Sequence, residues 1–264
     1  MRRNFNHEDL ERWAQFSGDR NPVHFDADFA IKNGHSGRIV HGMLAMLPLK
    51  NQLALEASIC AQACEIKLHL KHAVPIDQFV EYTLSPVQNI KVSSNGKSLY
   101  MGSVKARAAP QVAALAAADE RRPILERFSA EELDEKYELL STLVGSPVHT
   151  SVYWDAILFS IYIEDNRKTA LASDVQRFLA REGISQARPY VVYQISHALT
   201  LMGSDWSRLP GEGYDSTYYS VKGKDLVRVN DSIFASVVFT LYTQDRPVLA
   251  VEMGLIANLL EEPA

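Results

Sequence analysis

A carboxylate and an imidazole five positions apart, Asp19 and His24, are residue types able to do acid–base chemistry together. They stand in the run Phe16-Ser17-Gly18-Asp19-Arg20-Asn21-Pro22-Val23-His24-Phe25-Asp26. Asn21-Pro22 between them forces a turn-like course, because proline confines the residue before it to extended backbone. In one cleft, a carboxylate and an imidazole make a complementary proton donor and acceptor near neutral pH. Gly42 opens an apolar, helix-like run further along. Unpaired amides and the helix dipole favour negative charge at such a start, and a residue without a side chain lets a carbonyl reach the backbone. An acid, a base and an oxyanion site together suit proton removal α to a carbonyl with loss of a β-hydroxyl.

Each residue also has a plainer reading. Asp19 could simply cap the loop after Gly18, and His24 could be a satisfied turn histidine; it is their joint occurrence with Gly42 that favours catalysis. Asp26 suits capping of the next helix better than reaction. His24, His35 and His41 make a poor metal triad, because no carboxylate-bearing histidine motif frames them. The two cysteines, Cys60 and Cys64, are spaced as neighbours on one helical face. With no second Cys/His cluster at zinc spacing, they are expected to be reduced, buried or half-buried thiols. Trp13 and Phe16 are expected in the core, and Asn230-Asp231-Ser232 is a glycosylation sequon by letters only.

The elements that must hold these groups are legible in part. A helix should start at the Asn6 cap, carry Leu10, Trp13, Ala14 and Ser17 at helical spacing, and stop at Gly18. A polar loop to Asp26 follows, then a short helical piece around Asp28 to Lys32. His41 to about Leu55 reads as an apolar helix fit to be wrapped by a sheet, which Pro48 should kink or divide. Strands are expected over Glu65 to Leu70 and from Val74, with an Asn95-Gly96 hairpin between Asn89–Ser93 and Lys97–Arg107. Ala109-Pro110-Gln111 reads as another turn, with a strand returning over Val112 to Ala118. Residues 121–146 read as a charged surface connector containing a capping box, Ser129 to Glu132. The second half repeats the order weakly. A helix-like run from Arg188 to Met202 is followed by an extended stretch at Lys224 to Val229 and a closing hairpin, Val237–Tyr242 with Val248–Ile256.

Composition bounds the rest. The 264 residues carry 27 Lys plus Arg against 32 Asp plus Glu, a net charge of −5, and 47% are hydrophobic. Collagen, disulfide scaffolds and bulk disorder are excluded, and a mildly acidic chain has no electrostatic reason to hold nucleic acid. No apolar run is long enough to cross a bilayer, and no signal-peptide pattern follows Met1-Arg2-Arg3-Asn4, so a cytoplasmic protein without membrane insertion is expected.

Residues 16–44, including Asp28-Phe29-Ala30 and Gly37-Arg38-Ile39-Val40-His41-Gly42-Met43-Leu44, resemble the MaoC-type hydratase/dehydratase family of (R)-specific enoyl thioester hydratases. The family pattern runs SGDxNPxHxD, a short helix, then GRxIVHGML. The resemblance implies an α+β double hot-dog fold, each half a central helix wrapped by a curved antiparallel sheet. It implies His24 as the group exchanging the α-proton, Asp19 acting on the β-oxygen, the Gly42 amide holding an enolate-like oxygen, and Asn21 orienting Asp19. Arg38, His41 and Met43 stand as candidate substrate contacts, although packing and orienting roles suit Arg38 and His41 better. No cofactor is called for, since only protons move.

Two departures bear on the substrate channel: Asp77-Gln78 stands where the family has a Gly-Asp pair, and Pro48 is unusual in the central helix. The expected division is a catalytic half over 1–122, a connector over 123–146, and a degenerate non-catalytic half over 147–264. In that second half Tyr190-Val191-Val192-Tyr193 takes the place of Ile39 to Gly42, with no oxyanion glycine. Expected partners are an acyl-CoA or acyl carrier protein thioester and, for assembly, a homodimer or a pseudo-dimeric monomer. A hot-dog acyl thioesterase and a non-catalytic acyl-binding or assembly subunit are the alternatives.

Overall fold

The computed structural model describes residues 1–56, 63–108, 120–145, 147–168, 170–183, 190–202, 213–223, 226–230 and 232–259. Local signals set the N-terminal elements as the sequence predicts. Helix α1 (His7–Ser17) starts at a capping box in which Asn6 and Asp9 each accept the other's backbone N–H, and it ends at Gly18, left-handed with φ 74°. Asp26 caps α2 (Ala27–Lys32) by accepting from the Phe29 amide. Helix α3 (Gly42–Leu55) is buried almost all round, from Met43 to Asn51 without a break, and Pro48 lies inside it without dividing it.

Strands β1 (Arg2–Asn4), β3 (Cys64–Leu70), β5 (Phe79–Leu84), β6 (Asn89–Ser94) and β7 (Lys97–Ala106) form the first half of a large sheet. A two-residue ribbon, β2 (Ile39–Val40) on β4 (Val74–Pro75), stands apart. The β6–β7 hairpin turns at Asn95 and Gly96, both at positive φ, the backbone that a tight hairpin requires. Cys64 is buried as expected, but on a strand rather than a helical face. Cys60 and the expected turn and strand over 109–118 lie outside the described residues.

Helix α4 (Ala130–Val144) keeps the capping box at Ser129 and Glu132. It is more than a surface connector: Leu133, Leu140 and Leu143 are fully buried, and Lys136 donates to the Phe16 carbonyl at the end of α1. Helices α5 (Thr150–Lys168) and α6 (Ala170–Arg181) follow, then β9 (Tyr190–Leu201). The sequence predicts a helix from Arg188 to Met202, and the structure corrects this. A short apolar run has no periodicity to separate a buried strand from a buried helix, and Tyr190, Val191, Val192 and Tyr193 are strand formers. The central helix of the second half is α5 instead, buried from Ser151 through Ile161. It opens at Thr150 where α3 opens at Gly42, so the expected counterpart at Tyr190 to Tyr193 is also displaced.

β10 (Thr217–Gly223), β11 (Val227–Val229), β12 (Ser232–Thr243) and β13 (Arg246–Leu259) complete the sheet, with the closing hairpin where the sequence places it; Lys224 and Asp225 lie outside the described residues. The whole reads β1-β5-β6-β7-β3-β9-β13-β12-β10-β8, where β8 is Arg122–Pro123 and β11 pairs with β12. Its middle is the β3–β9 ladder, from Cys64 opposite Leu201 to His69 opposite Ser196, which makes one continuous antiparallel sheet of both halves. One apolar cluster runs through it, including Met43, Leu44, Ile66, Tyr153, Ile157 and Val251, and Trp13 of α1 packs 5.8 Å from the Phe159 ring of α5. Among the described residues no helix is long and apolar enough to cross a membrane.

Candidate active site

The loop after α1 is built from short-range hydrogen bonds. The Ser17 hydroxyl donates to the Trp13 carbonyl (2.8 Å) and accepts from the Asp19 amide (3.1 Å). Asp19 Oδ1 accepts from the Asn21 amide (3.2 Å), and Asn21 Oδ1 accepts from Val23 (3.2 Å), capping the single 3-10 turn Pro22–His24. Serine, aspartate and asparagine suit these positions because their side chains reach backbone N–H groups two residues on. The loop thereby carries Asp19, Asn21 and His24 to one side.

His24 is 8% exposed, and its Nδ1 lies 2.9 Å from the Ile39 carbonyl. A carbonyl only accepts, so Nδ1 holds the proton and Nε2 keeps a lone pair. Burial lowers the His24 pKa below 6.5, against the opposing pull of the Asp19 charge and the Ile39 carbonyl. The ring is therefore neutral, a base in waiting. His41 stacks on it at 3.7 Å between centroids and donates from Nε2 to the Asp19 main-chain carbonyl (3.0 Å). Burial, then the neighbouring His24, push its pKa well below 6.5.

Donor atoms of Asp19, His24 and His41 lie within 4.8 Å of one another, close enough for a metal ion. The stack sets the two imidazoles side by side, however, so their in-plane lone pairs do not converge on a point, and one nitrogen of each is spent on a carbonyl. The donor set fits proton transfer better than metal ligation.

A cleft of about 870 Å³ opens in front of these groups. Asp19, Asn21, His24, Gly42 and Met43 line it from the first half, and Phe159, Tyr162, Ile163, Tyr193, Gln194 and Leu255 from the second. The Gly42 amide, at the first position of α3, has no acceptor within its helix. A Cβ there would stand 2.8 Å from Leu70 Cδ2 and 3.7 Å from Gln194 Oε1, so any side chain would displace Leu70 and crowd the approach to this amide.

The structure thus brings together Asp19, Asn21, His24, Gly42 and Met43. His41 lies behind His24, fully buried, and Arg38 turns away from the cleft, with Nη1 3.4 Å from His7 Nδ1. Residues that the sequence reading did not single out as site residues are Gln194 and a buried set beneath the floor, Lys50, Asp155 and His197. Their one signal is a polar residue inside an otherwise apolar run: Lys50 in α3, Asp155 in α5, His197 in β9.

The fold defines the class of protein first. Rv0216, a conserved hypothetical protein of Mycobacterium tuberculosis with a double hotdog fold, superposes at a TM-score of 0.50 over 97% of this chain and 94% of its own, at 9% identity. This chain has that double hot-dog architecture. Residues 2–104 match the model of the MaoC like domain. A curated relative, the mitochondrial 3-hydroxyacyl-(acyl-carrier-protein) dehydratase of Arabidopsis thaliana, is 50% identical over 40 residues. That match spans 15% of this chain and 24% of the relative, about a quarter of its length.

Proposed function

We propose that the protein is a hydratase/dehydratase that reversibly adds water to 2-enoyl thioesters, or removes it from 3-hydroxyacyl thioesters, carried on CoA or an acyl carrier protein. The observation that carries this reading is the convergence of the unprotonated His24 Nε2, the Asp19 carboxyl and the open Gly42 amide on one cleft. The MaoC-like domain and the short stretch shared with a dehydratase support it.

In the dehydration direction, Nε2 of His24 takes the α-proton and the electrons move onto the thioester oxygen. The Gly42 N–H at the start of α3 donates to that oxygen and stabilises its charge. The enolate then reforms the carbonyl, the α–β double bond forms, and the β-carbon–oxygen bond breaks. Asp19, protonated, gives its proton to the departing oxygen, and water leaves. The proton now on His24 returns to Asp19 and closes the cycle, so the pair shares one proton throughout. Asn21, whose amide N–H donates to Asp19 Oδ1, holds that carboxyl at the β-carbon. The walls of α5, β9 and β13 give the acyl chain room, so long or bulky chains suit the cleft better than short ones. Residues 1–122 hold the reacting groups, 147–264 the far wall, and 123–146 the link between them; with both walls in one chain, a single cytoplasmic chain can act as a pseudo-dimer.

Hydration of a crotonyl thioester bleaches the enoyl absorbance without releasing thiol, and that is the expected result. Thiol release instead identifies a thioesterase, and acyl binding with neither reaction identifies a binding subunit. The pH dependence is also set. In the dehydration direction His24 must be unprotonated to take the α-proton, and burial lowers its pKa, so the acid limb of kcat/KM for dehydration lies below 6.5. An acid limb centred above 6.5 contradicts the role given to His24.

A further inference from the structure

Beneath the cleft floor lies a set of ionisable side chains that this reaction does not use. Lys50, Asp155 and His197 come from α3, α5 and β9, and their side chains have no exposure. Lys50 Nζ is 2.5 Å from Asp155 Oδ2, and His197 Nε2 is 2.9 Å from Asp155 Oδ1. Lys50 also reaches Met43 Sδ, at 3.1 Å, beside the oxyanion position.

The set fixes the orientation of a residue in the cleft. Asp155 accepts from Lys50 and from His197, so His197 carries its proton on Nε2. Burial, opposed by Asp155 and assisted by Lys50, lowers the His197 pKa, which keeps the ring neutral and leaves a lone pair on Nδ1. The Gln194 amide nitrogen lies 3.0 Å from that Nδ1 and must be its donor. The same nitrogen lies 3.4 Å from the Ser196 carbonyl. With the nitrogen so engaged, Oε1 points the other way, to within 3.7 Å of where a Cβ on Gly42 would stand. Flipping the amide would set Oε1 against the His197 lone pair. A buried ion pair therefore holds a hydrogen-bond acceptor in one orientation at the mouth of the oxyanion position.

An acceptor there cannot hold the enolate oxygen; it can only meet a donor on the substrate. A 3-hydroxyacyl thioester offers two near its carbonyl: the β-hydroxyl, which Asp19 takes, and the amide N–H two carbons beyond the sulfur. We infer that Gln194 is a specificity-determining residue whose Oε1 accepts a hydrogen bond from that amide N–H, so that the site selects thioesters of N-acylcysteamine arms over arms lacking the amide. The inference rests on the hydratase reading. It holds equally for CoA and an acyl carrier protein, whose thiol arms share this amide.

The test compares two crotonyl thioesters, that of N-acetylcysteamine and that of 2-acetoxyethanethiol, in which an ester oxygen replaces the N–H. Wild type is expected to hydrate the acetoxy compound with roughly 10- to 100-fold lower kcat/KM, the cost of a lost hydrogen bond and an unsatisfied acceptor. In Gln194→Met, similar in length but without the acceptor, the ratio is expected to fall to within about threefold of unity, mainly through slower turnover of the amide compound. A purely structural role for Gln194 would change both rates together and leave the ratio intact. Equal turnover of both compounds by wild type overturns the inference, and so does a ratio that survives in folded Gln194→Met. Should that variant not fold, the wild-type ratio decides alone. Hydration of neither compound by wild type overturns the hydratase reading instead, and this inference with it.

Discussion

Asp19→Asn and His24→Ala each lose hydration of crotonyl-type thioesters, by at least about 100-fold, the low end for removal of a general acid or base. Asparagine keeps an oxygen that can accept the Asn21 N–H, so the loop is preserved while the exchangeable carboxyl proton is gone. Alanine at position 24 removes Nε2 together with the hydrogen bond to Ile39 and the stack on His41. That change is local, since the side-chain hydrogen bonds of Ser17, Asp19 and Asn21 within the loop do not involve the imidazole of His24. Steady-state rates beside circular dichroism of each variant separate chemistry from unfolding. Turnover near the wild-type rate in either folded variant would refute the assignment of these two residues.

Asp155→Ala carries the largest expected stability loss, about 3–5 kcal/mol, because it strands the Lys50 ammonium in the core without a counter-ion. The double change Lys50→Met with Asp155→Leu removes both charges and is expected to recover most of that loss, since two apolar side chains avoid the desolvation of two ions. Urea unfolding of the wild type, the single and the double variants measures the difference. A single variant as stable as wild type would mean that water reaches Lys50. A double variant as unstable as the single would place the loss in packing rather than charge.

The first half was readable because its bonds are short in sequence. Asn6 with Asp9, Asp19 with Asn21, Asp26 with Phe29, and the positive-φ pair Asn95-Gly96 each join residues at most three positions apart. A residue type at such a distance has one dominant use, and chain neighbours alone fix the geometry. The same holds for Asp19 and His24, carried to one side by the turn at Pro22. Segment 190–201 failed for the opposite reason. Its apolar letters record burial but not what buries it, and the strands on either side of it, β3 and β13, are distant in sequence.

The amino-acid order alone therefore determined the placement of Asp19 and His24, the glycine at the helix start and the turns and caps that aim them. It also determined a sheet-wrapped helix in the first half, through the apolar run that became α3. Tertiary structure decided the rest: β9 as a strand in the middle of the sheet, α5 as the second central helix, the second-half wall of the cleft, and the Lys50–Asp155–His197 set that orients Gln194. Lys50 meets Asp155 across 105 residues of chain and His197 across 147. At such separations a polar letter in an apolar run shows only that a partner is required. Which group supplies it depends on how the elements pack.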